Sequence, residues 1–499
     1  MSGVLVGQGY FLRFDPKLDA ARQPYPPLGA LYAASVLRAS GHDVAFFDAM
    51  LAGSEEEWAQ SLDRHRPRLA VLFEDSFNYL TKMCLLRMRQ ASLAMIAMAH
   101  ARGAKVVVSG SDASDHPELY LGAGVDAVIL GEGELTLREV ADAVVGSSPR
   151  ALHEIAGLCL RDPDGKPQRT AARPFLRDLD SLPRPAFDLV DMERYRRIWV
   201  GRHGHYSTNL VTTRGCPYHC NWCAKPIYGQ RYAVRGPEAV AEEMAWIKKT
   251  YAPDHLAFMD DIFGLQPGWI ERFADAVAER DAAIPFKCLS RADLLSDSVV
   301  GALRRAGCRT VWVGAESGSQ KVLDAMEKGV RVEEIRDAAG RLRRAGIEVG
   351  FFLQFGYPGE TWDDVQETRR LVRECAPDDI GISVSYPLPG TRFFERVKGQ
   401  LGSKRNWDDS ADLAMMYEGP YPTAFYRALH GLVHAEFRLR KARAAPGLTG
   451  WARRAVLGAA APVHRARVAL ARRRPHRPTT VGGEALSRDA ARRPSAQEA

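Results

Sequence analysis

Eleven residues constrain this chain more than any others: Thr213-Arg-Gly-Cys216-Pro-Tyr-His-Cys220-Asn-Trp-Cys223. Their three cysteines, spaced C-x3-C-x2-C, follow directly on the short apolar run Leu210-Val-Thr-Thr, which reads as a strand. Gly215 and Pro217 bracket the first cysteine and force a turn, so the three thiols share one loop at a strand's C-terminal end. Three thiolates can ligate three irons of a 4Fe–4S cluster. Such clusters usually take four cysteines, so a missing fourth leaves one iron open to a substrate or cosubstrate. A zinc knuckle is the competing reading. It wants four protein ligands, commonly as two Cys/His pairs, and here only His219 stands by, awkwardly, with no second cysteine pair.

The other cysteines, at positions 84, 159, 288, 308 and 375, sit singly in apolar surroundings. That is the pattern of a reducing compartment rather than a disulfide framework. No run of eighteen apolar residues occurs, and the opening Met-Ser-Gly-Val-Leu-Val lacks a basic segment followed by an apolar one, so a cytoplasmic protein is expected. A net charge of +7, much of it in the C-terminal tail, is no strong nucleic-acid signal.

At 499 residues the chain has room for roughly three domains. Residues 1–145 read as a doubly wound α/β domain. Its expected strands are Val4–Gly7, Asp43–Phe47, Leu69–Phe73, Lys105–Ser109 and Val125–Leu130, alternating with helical stretches near Leu28–Ala39, Thr81–Ala101 and Glu134–Val145. Gly41 and Gly103 are helix-stop glycines. The methionines of the second helix (Met83, Met88, Met95, Met98) read as core filler. Residues 146–205 read as a linker, with an Asp-Pro-Asp-Gly hairpin turn at 162–165 and an extended crossing at Leu182-Pro-Arg-Pro-Ala186.

Residues 206–400 repeat strand and helix about six times, with expected strands Leu210–Thr213, Leu256–Asp260, Phe286–Leu289, Thr310–Gly314, Val349–Phe355 and Ile380–Tyr386. Parallel strands with helical crossovers suit a barrel or partial barrel with its chemistry at the strand C-terminal ends. Residues 401–445 read as a helical extension. Its helix opens at Pro422-Thr-Ala-Phe425, with Phe425, Leu429, Leu432, Val433 and Phe437 on one stripe against the barrel. Residues 446–499 form a basic tail. Pro462 is expected to split Trp451–Arg474 into two short helices, and 475–499 are expected to be disordered. An Arg-rich amphipathic helix can lie on an anionic membrane or bind nucleic acid; a solvated tail accounts for the composition equally.

The cysteine loop and its context resemble the radical S-adenosylmethionine (SAM) superfamily, in which the amino and carboxylate groups of SAM occupy the open iron. Tyr25-Pro-Pro-Leu-Gly29, Ser109-Gly-Ser-Asp-Ala-Ser-Asp-His-Pro-Glu118 and Gly124-Val-Asp-Ala-Val-Ile-Leu-Gly-Glu-Gly-Glu134 are similar to the cobalamin-binding domain that precedes many such catalytic domains. The resemblance implies an N-terminal Rossmann-like domain, an open (β/α)6 half-barrel and a helical C-terminal region. Its implied cofactors are a 4Fe–4S cluster on Cys216, Cys220 and Cys223, SAM, and cobalamin. It places Trp222 against adenine, Asp260 and Asp261 at the SAM amine, Ser290 and Arg291 at its carboxylate, Glu316 at the ribose, and the Leu388 backbone at adenine. For cobalamin it implies Ser109, Gly110, Ser111, Gly131, Glu132 and Gly133, whose glycines permit close approach, with Asn78 in the Glu74–Tyr79 loop under the cobalt. Phe14-Asp-Pro-Lys-Leu-Asp-Ala lacks the histidine of the usual Asp-x-His-x-x-Gly, and weak lower ligation favours cob(I)alamin.

The activity so implied is methylation of an unactivated carbon of a small or lipidic metabolite. One SAM supplies the methyl group to cobalamin. A second is cleaved to a 5′-deoxyadenosyl radical that takes a hydrogen atom from the substrate. A flavodoxin- or ferredoxin-type electron donor is implied as partner, and peripheral membrane contact is a further expectation for the tail. The alternative within the same architecture is a cobalamin-binding oxidative cyclase or rearranging enzyme of the anaerobic magnesium-porphyrin cyclase type. A non-catalytic cobalamin or redox sensor is the third reading, and it has no need of the SAM-pocket residues.

Overall fold

The computed structural model describes residues 3–78, 85–146, 148, 150–225, 227–444 and 447–473. Seven strands form the first sheet: β1 (Val4–Gly7), β2 (Val44–Phe46), β3 (Leu69–Phe73), β4 (Lys105–Ser109), β5 (Ala127–Ile129), β6 (Leu158–Arg161) and β7 (Pro167–Arg169), in the order β2-β1-β3-β4-β5-β6-β7. The first five are parallel. β1 and β3 are buried throughout, as continuous apolar runs in a sheet covered on both faces must be. The covering helices are α1 (Leu28–Ala39), α2 (Glu56–His65), α3 (Leu86–His100) and α4 (Glu134–Val144). Gly41 (φ 87°) and Gly103 (φ 75°) take the left-handed conformation that stops α1 and α3. Met88 and Met95 are buried as core filler; Met83, Cys84, Tyr79 and the expected helix start at Thr81 lie outside the described residues.

Three features depart from the sequence reading. Helix α2 has no long apolar pattern and buries only Trp58 and Leu62, one turn apart on its inner face. The hairpin turn at 162–165 forms, but β6 pairs antiparallel with β5, so the segment read as a linker extends the first sheet. That segment also holds α5 (Met192–His203), whose Tyr195 hydroxyl donates to Asp48.

The second sheet has six parallel strands in sequence order: β8 (Ser207–Leu210), β11 (His255–Phe258), β12 (Phe286–Ser290), β13 (Cys308–Glu316), β14 (Glu348–Phe355) and β15 (Asp379–Val384). The helices α6 (Pro237–Tyr251), α7 (Trp269–Glu279), α8 (Asp297–Ala306), α9 (Val332–Arg344) and α10 (Trp362–Cys375) make the crossovers. β15 and β8 are the two free edges, so this is an open half-barrel. The first strand lies three residues earlier than its apolar run suggests. Thr213–Arg214 (β9) leaves the sheet to pair antiparallel with Ala233–Val234 (β10). Cys288 and Cys308, read as isolated, are buried neighbours on β12 and β13 that share a hydrogen bond.

The C-terminal region is two helices, α11 (Thr423–Ala444) and α12 (Gly447–Arg472). Phe425, Leu429, Leu432, Val433 and Phe437 are all buried, as the stripe predicts. Pro462, in contrast, does not break α12. Proline removes one bond to the residue four earlier. Here both Pro462 and Gly458 are exposed, so water can satisfy that carbonyl while the opposite face stays packed. Among the described residues no helix is long and apolar enough to cross a membrane.

The two sheets meet at their C-terminal edges. One apolar core runs through the junction, joining Leu28, Leu31, Tyr32 and Phe77 of the first domain to Tyr206, Leu210 and Tyr228 of the half-barrel. At its centre the buried guanidinium of Arg214 donates to Glu134 at 2.6 Å and to Glu132 at 3.1 Å. Removing one partner of such a pair strands a buried charge, at a cost of about 3–5 kcal/mol, whereas exposed pairs are worth about 0–1 kcal/mol. Chemical denaturation should therefore find Glu134→Ala strongly destabilised and Arg38→Ala, which breaks the exposed pair with Asp188, close to wild type.

Candidate active site

The cysteine loop is built by anchors at both ends. Below it, the buried Asp260 carboxylate accepts from the Thr212 and Thr213 amides at 2.7 and 2.6 Å and from their hydroxyls at 3.0 and 2.9 Å. Four donors on one carboxylate fix where the chain leaves β8. Gly215 then turns at φ 77°, and a Cβ there would lie 2.2 Å from the Arg231 carbonyl oxygen, so only glycine fits. At the far end Asn221 binds three parts of the barrel. Its amide donates to the Ala325 carbonyl (2.9 Å), its side-chain oxygen accepts from the Tyr357 hydroxyl (2.7 Å), and its carbonyl accepts from the Phe393 amide (3.0 Å). Sequence pattern singled out neither Asn221 nor Tyr357, because a tertiary clasp has no periodicity.

Cys216 is buried, and Cys220 and Cys223 are half-buried, on this one loop. Burial pushes the Cys223 thiol up to about 12. Bound iron would displace that proton, since coordination deprotonates a thiol outright. Cations surround the sulfurs: Arg291 points Nη1 at Cys220 Sγ (3.9 Å), and Lys225 and Lys328 also act on the thiols. Among the described residues, no three His, Cys, Asp or Glu side chains gather closely enough for a single metal ion. A cubane makes no such demand, because each thiolate takes its own iron. The loop fits the cluster.

The residues expected around SAM ring this loop at the strand ends, with several committed to protein partners. Asp260 is fully engaged by the two threonines, while Asp261 is exposed beside the cysteines. Ser290 is buried at the end of β12. Arg291, expected to grip a carboxylate with both arms, instead spends Nε and Nη2 on Asp293 (3.0 and 3.2 Å) and lies 3.6 Å over the Tyr218 ring. Glu316 sits at a register break in β13 with φ 57°, a strained conformation for a non-glycine residue. It accepts from Lys328 at 2.9 Å. Burial alone would lower the Lys328 pKa, but the Glu316 carboxylate offsets this and raises it. The Leu388 amide and carbonyl are taken by the local turn, bonded to Tyr386 and Thr391. Trp222 is half-buried, with its indole nitrogen buried and unpaired.

On the facing sheet the order reverses between β1 and β3, and in open α/β sheets ligands bind at such a switch point. The residues just past these strands carry unpaired buried polar atoms: Gln8 Oε1 and Nε2, the Tyr10 hydroxyl and Glu74 Oε2. Buried polar groups are seldom left unpaired, so these four atoms, lying at the switch point, could serve a ligand there. Ser109 and Ser111 are buried at the end of β4, and Asn78 lies in the loop after β3. Gly131 turns at φ 73°, and a Cβ there would meet only the Ile227 carbonyl oxygen, at 3.9 Å. The other glycines serve packing instead. A Cβ on Gly110 would meet Glu74 Cβ at 2.7 Å, and one on Gly133 would meet the Phe73 ring at 2.6 Å. Glu132 accepts from Arg214 and from the Leu176 amide, so it joins segments rather than facing a ligand.

Two outcomes follow. Gly215→Ala should cost about 1–3 kcal/mol from the forced φ and the overlap, and anaerobic reconstitution should load clearly less iron and sulfide per chain than wild type. Glu74 titrates at about 7, raised by burial from 4.5. The folded state therefore holds a proton that the unfolded state has lost, and stability falls as pH rises from about 4.5 to 7. Denaturation of Glu74→Gln across that window should show a flatter pH dependence than wild type.

Two family models match the chain in this order: a B12 binding domain over residues 18–141 and the radical SAM superfamily over residues 210–372. An uncharacterized methyltransferase of Pyrococcus horikoshii is 28% identical over 387 residues, covering 77% of this chain and 81% of its own. The anaerobic magnesium-protoporphyrin IX monomethyl ester cyclase of Rubrivivax gelatinosus is 25% identical over 76% of this chain and 67% of its own. Among solved structures, the radical SAM methyltransferase TsrM of Kitasatospora setae, with cobalamin and a 4Fe–4S cluster bound, superposes with a TM-score of 0.65 at 20% identity, covering 80% of this chain and 75% of that one. With a cysteine triad on a half-barrel and a switch-point pocket on the sheet that faces it, the chain belongs to the cobalamin-binding branch of the radical SAM superfamily.

Proposed function

We propose that this protein is a cobalamin-dependent radical SAM methyltransferase acting on an unactivated carbon of a small or lipidic molecule. The observation that carries the reading is the docking of two strand C-terminal edges across the Arg214–Glu132–Glu134 contact. It sets a single-loop cysteine triad opposite a pocket of unpaired polar groups, and such enclosure suppresses side reactions of a radical. The chemistry that the bound groups supply is one-electron cleavage of SAM at the cluster and delivery of a methyl group from cobalamin.

The chain's own residues position both. Cys216, Cys220 and Cys223 hold three irons, and Arg291 and Lys328 balance their negative charge. Asp261, exposed beside the cysteines, and Ser290, buried at the end of β12, would meet the SAM amino acid moiety, with Asp260 setting the loop's position. Trp222 would cover the adenine, and Glu316, held by Lys328, would face the ribose. Ser109, Ser111, Asn78, Gly131, Gln8, Tyr10 and Glu74 line the cobalamin side. An electron donor of the flavodoxin or ferredoxin type would supply the reducing electron. The similarity to an anaerobic cyclase keeps one alternative, radical chemistry without methyl transfer.

Product analysis separates them. Protein reconstituted anaerobically with iron, sulfide and cobalamin, then given SAM and a strong reductant, should release S-adenosylhomocysteine stoichiometric with bound cobalamin, followed by slower 5′-deoxyadenosine. Cys216→Ala should abolish the second product. With a competent substrate, CD3-labelled SAM should put deuterium into the product. Formation of 5′-deoxyadenosine without S-adenosylhomocysteine would replace the methyltransferase with a cyclase or rearranging enzyme.

A further inference from the structure

We propose that α12 seats this protein on a bilayer surface bearing anionic lipid headgroups. Among the described residues six large apolar side chains are exposed, and three of them belong to this helix: Val456 (70%), Val463 (50%) and Leu470 (62%). They recur every seven residues, and such positions drift only ~20° per step around a helix, so the three form one stripe. Ala466 is exposed within the same face. On either side of the stripe lie the exposed Arg467 and Arg473.

The helix is fixed to the protein by its other side. Ala461, Val468 and Ala471 are buried. His464 nests over Gly431 so closely that a Cβ there would come within 2.4 Å of its ring. Arg465 pairs with Glu436 at 3.1 Å, and Arg472 lies 5.0 Å over the Trp362 ring. The stripe is therefore the outward face of an anchored helix, and its exposure does not come from a helix lying loose.

Charge selects the occupant. Between Gly447 and Arg472 the sequence carries five arginines and no acidic residue, and Arg473, Arg474 and Arg477 follow. A second copy of this helix would set arginine rows against each other with no carboxylate to offset them. Nucleic acid would use the arginines and leave the valines and leucine in water. A bilayer interface satisfies both features, since apolar side chains enter the acyl boundary while guanidinium groups reach the headgroup phosphates.

The test is vesicle flotation of the full-length chain. Wild type should float with phosphatidylcholine/phosphatidylglycerol vesicles at low salt, lose binding as salt rises, and stay unbound with phosphatidylcholine alone. Val463→Asp/Leu470→Asp and, separately, Arg467→Glu/Arg473→Glu should each weaken partitioning about tenfold or more, whereas Val463→Leu/Leu470→Ile should retain it. All these side chains are exposed, so thermal melts and iron loading should match wild type and show that the fold is intact. Absence of wild-type flotation, or equal flotation of all variants, overturns the proposal. So does a stripe-dependent dimer by light scattering, or salt-sensitive DNA or RNA binding lost in the arginine pair, in protein that ignores anionic vesicles.

Discussion

Arg214 is placed where a charge is expensive, in an apolar junction between two domains and two residues before the first cluster cysteine. Burial alone would depress its pKa, yet the Glu134 carboxylate more than offsets this and keeps the guanidinium charged. The rings of Phe77 and Tyr228, stacked 5.9 Å apart, lie 5.7 and 5.4 Å from it and close the site to water. A contact of this kind adds little net stability against an apolar replacement, but it tolerates only one register between its partners. The consequence is geometric. Glu132 and Glu134 sit just past β5 of the first sheet and Arg214 just past β8 of the second, so the pairing brings the two C-terminal edges face to face. The cysteine loop, anchored within the half-barrel by Asp260 and Asn221, begins two residues after Arg214 and so lies beside that junction.

The open half-barrel depends on the same arrangement. With β8 and β15 unpaired, the space inside the curved sheet is accessible along one side, and the first domain covers it. The strand ends then act as fixed mounts. Asp260 and Asn221 brace the cysteine loop, the Glu316–Lys328 pair holds a strained turn at the end of β13, and Arg291 leans on Asp293 and Tyr218 toward Cys220. Several polar groups that look like ligand contacts in one dimension are thus the framework holding the contacts. Among the buried polar atoms that remain unpaired, those on Gln8, Tyr10 and Glu74 lie just past β1 and β3, and the Trp222 indole nitrogen lies on the cysteine loop.

Local patterns were legible wherever one residue type answers one local need. The C-x3-C-x2-C loop, the helix-stopping Gly41 and Gly103, the Asp-Pro-Asp-Gly turn and the Phe425–Phe437 stripe all appear where the sequence places them. The patterns misled where a distant partner decided the outcome. Thr213 reads as the end of the first half-barrel strand, but with Arg214 it leaves that sheet and pairs with Ala233 and Val234. Pro462 does not break α12, because the carbonyl it frees is exposed to water while Ala461, Val468 and Ala471 pack the opposite face. Gly110 and Gly133 resemble openings for a ligand, yet Glu74 and Phe73 fill the room they leave.

From sequence alone came the fold class and the order of the two domains, which rest on periodicity and short-range spacing, and the family resemblance added the kind of cofactor each domain takes. Tertiary structure decided which carboxylates are committed to the scaffold, which glycines are packed against side chains, and how the domains face each other. Those depend on hydrogen bonds and ion pairs between residues tens to hundreds of positions apart, as between Glu132 and Arg214 or Asn221 and Tyr357, and a carboxylate can satisfy only so many donors. Once Asp260 has accepted four bonds from Thr212 and Thr213 it is part of the scaffold, and only the folded chain brings those donors to it.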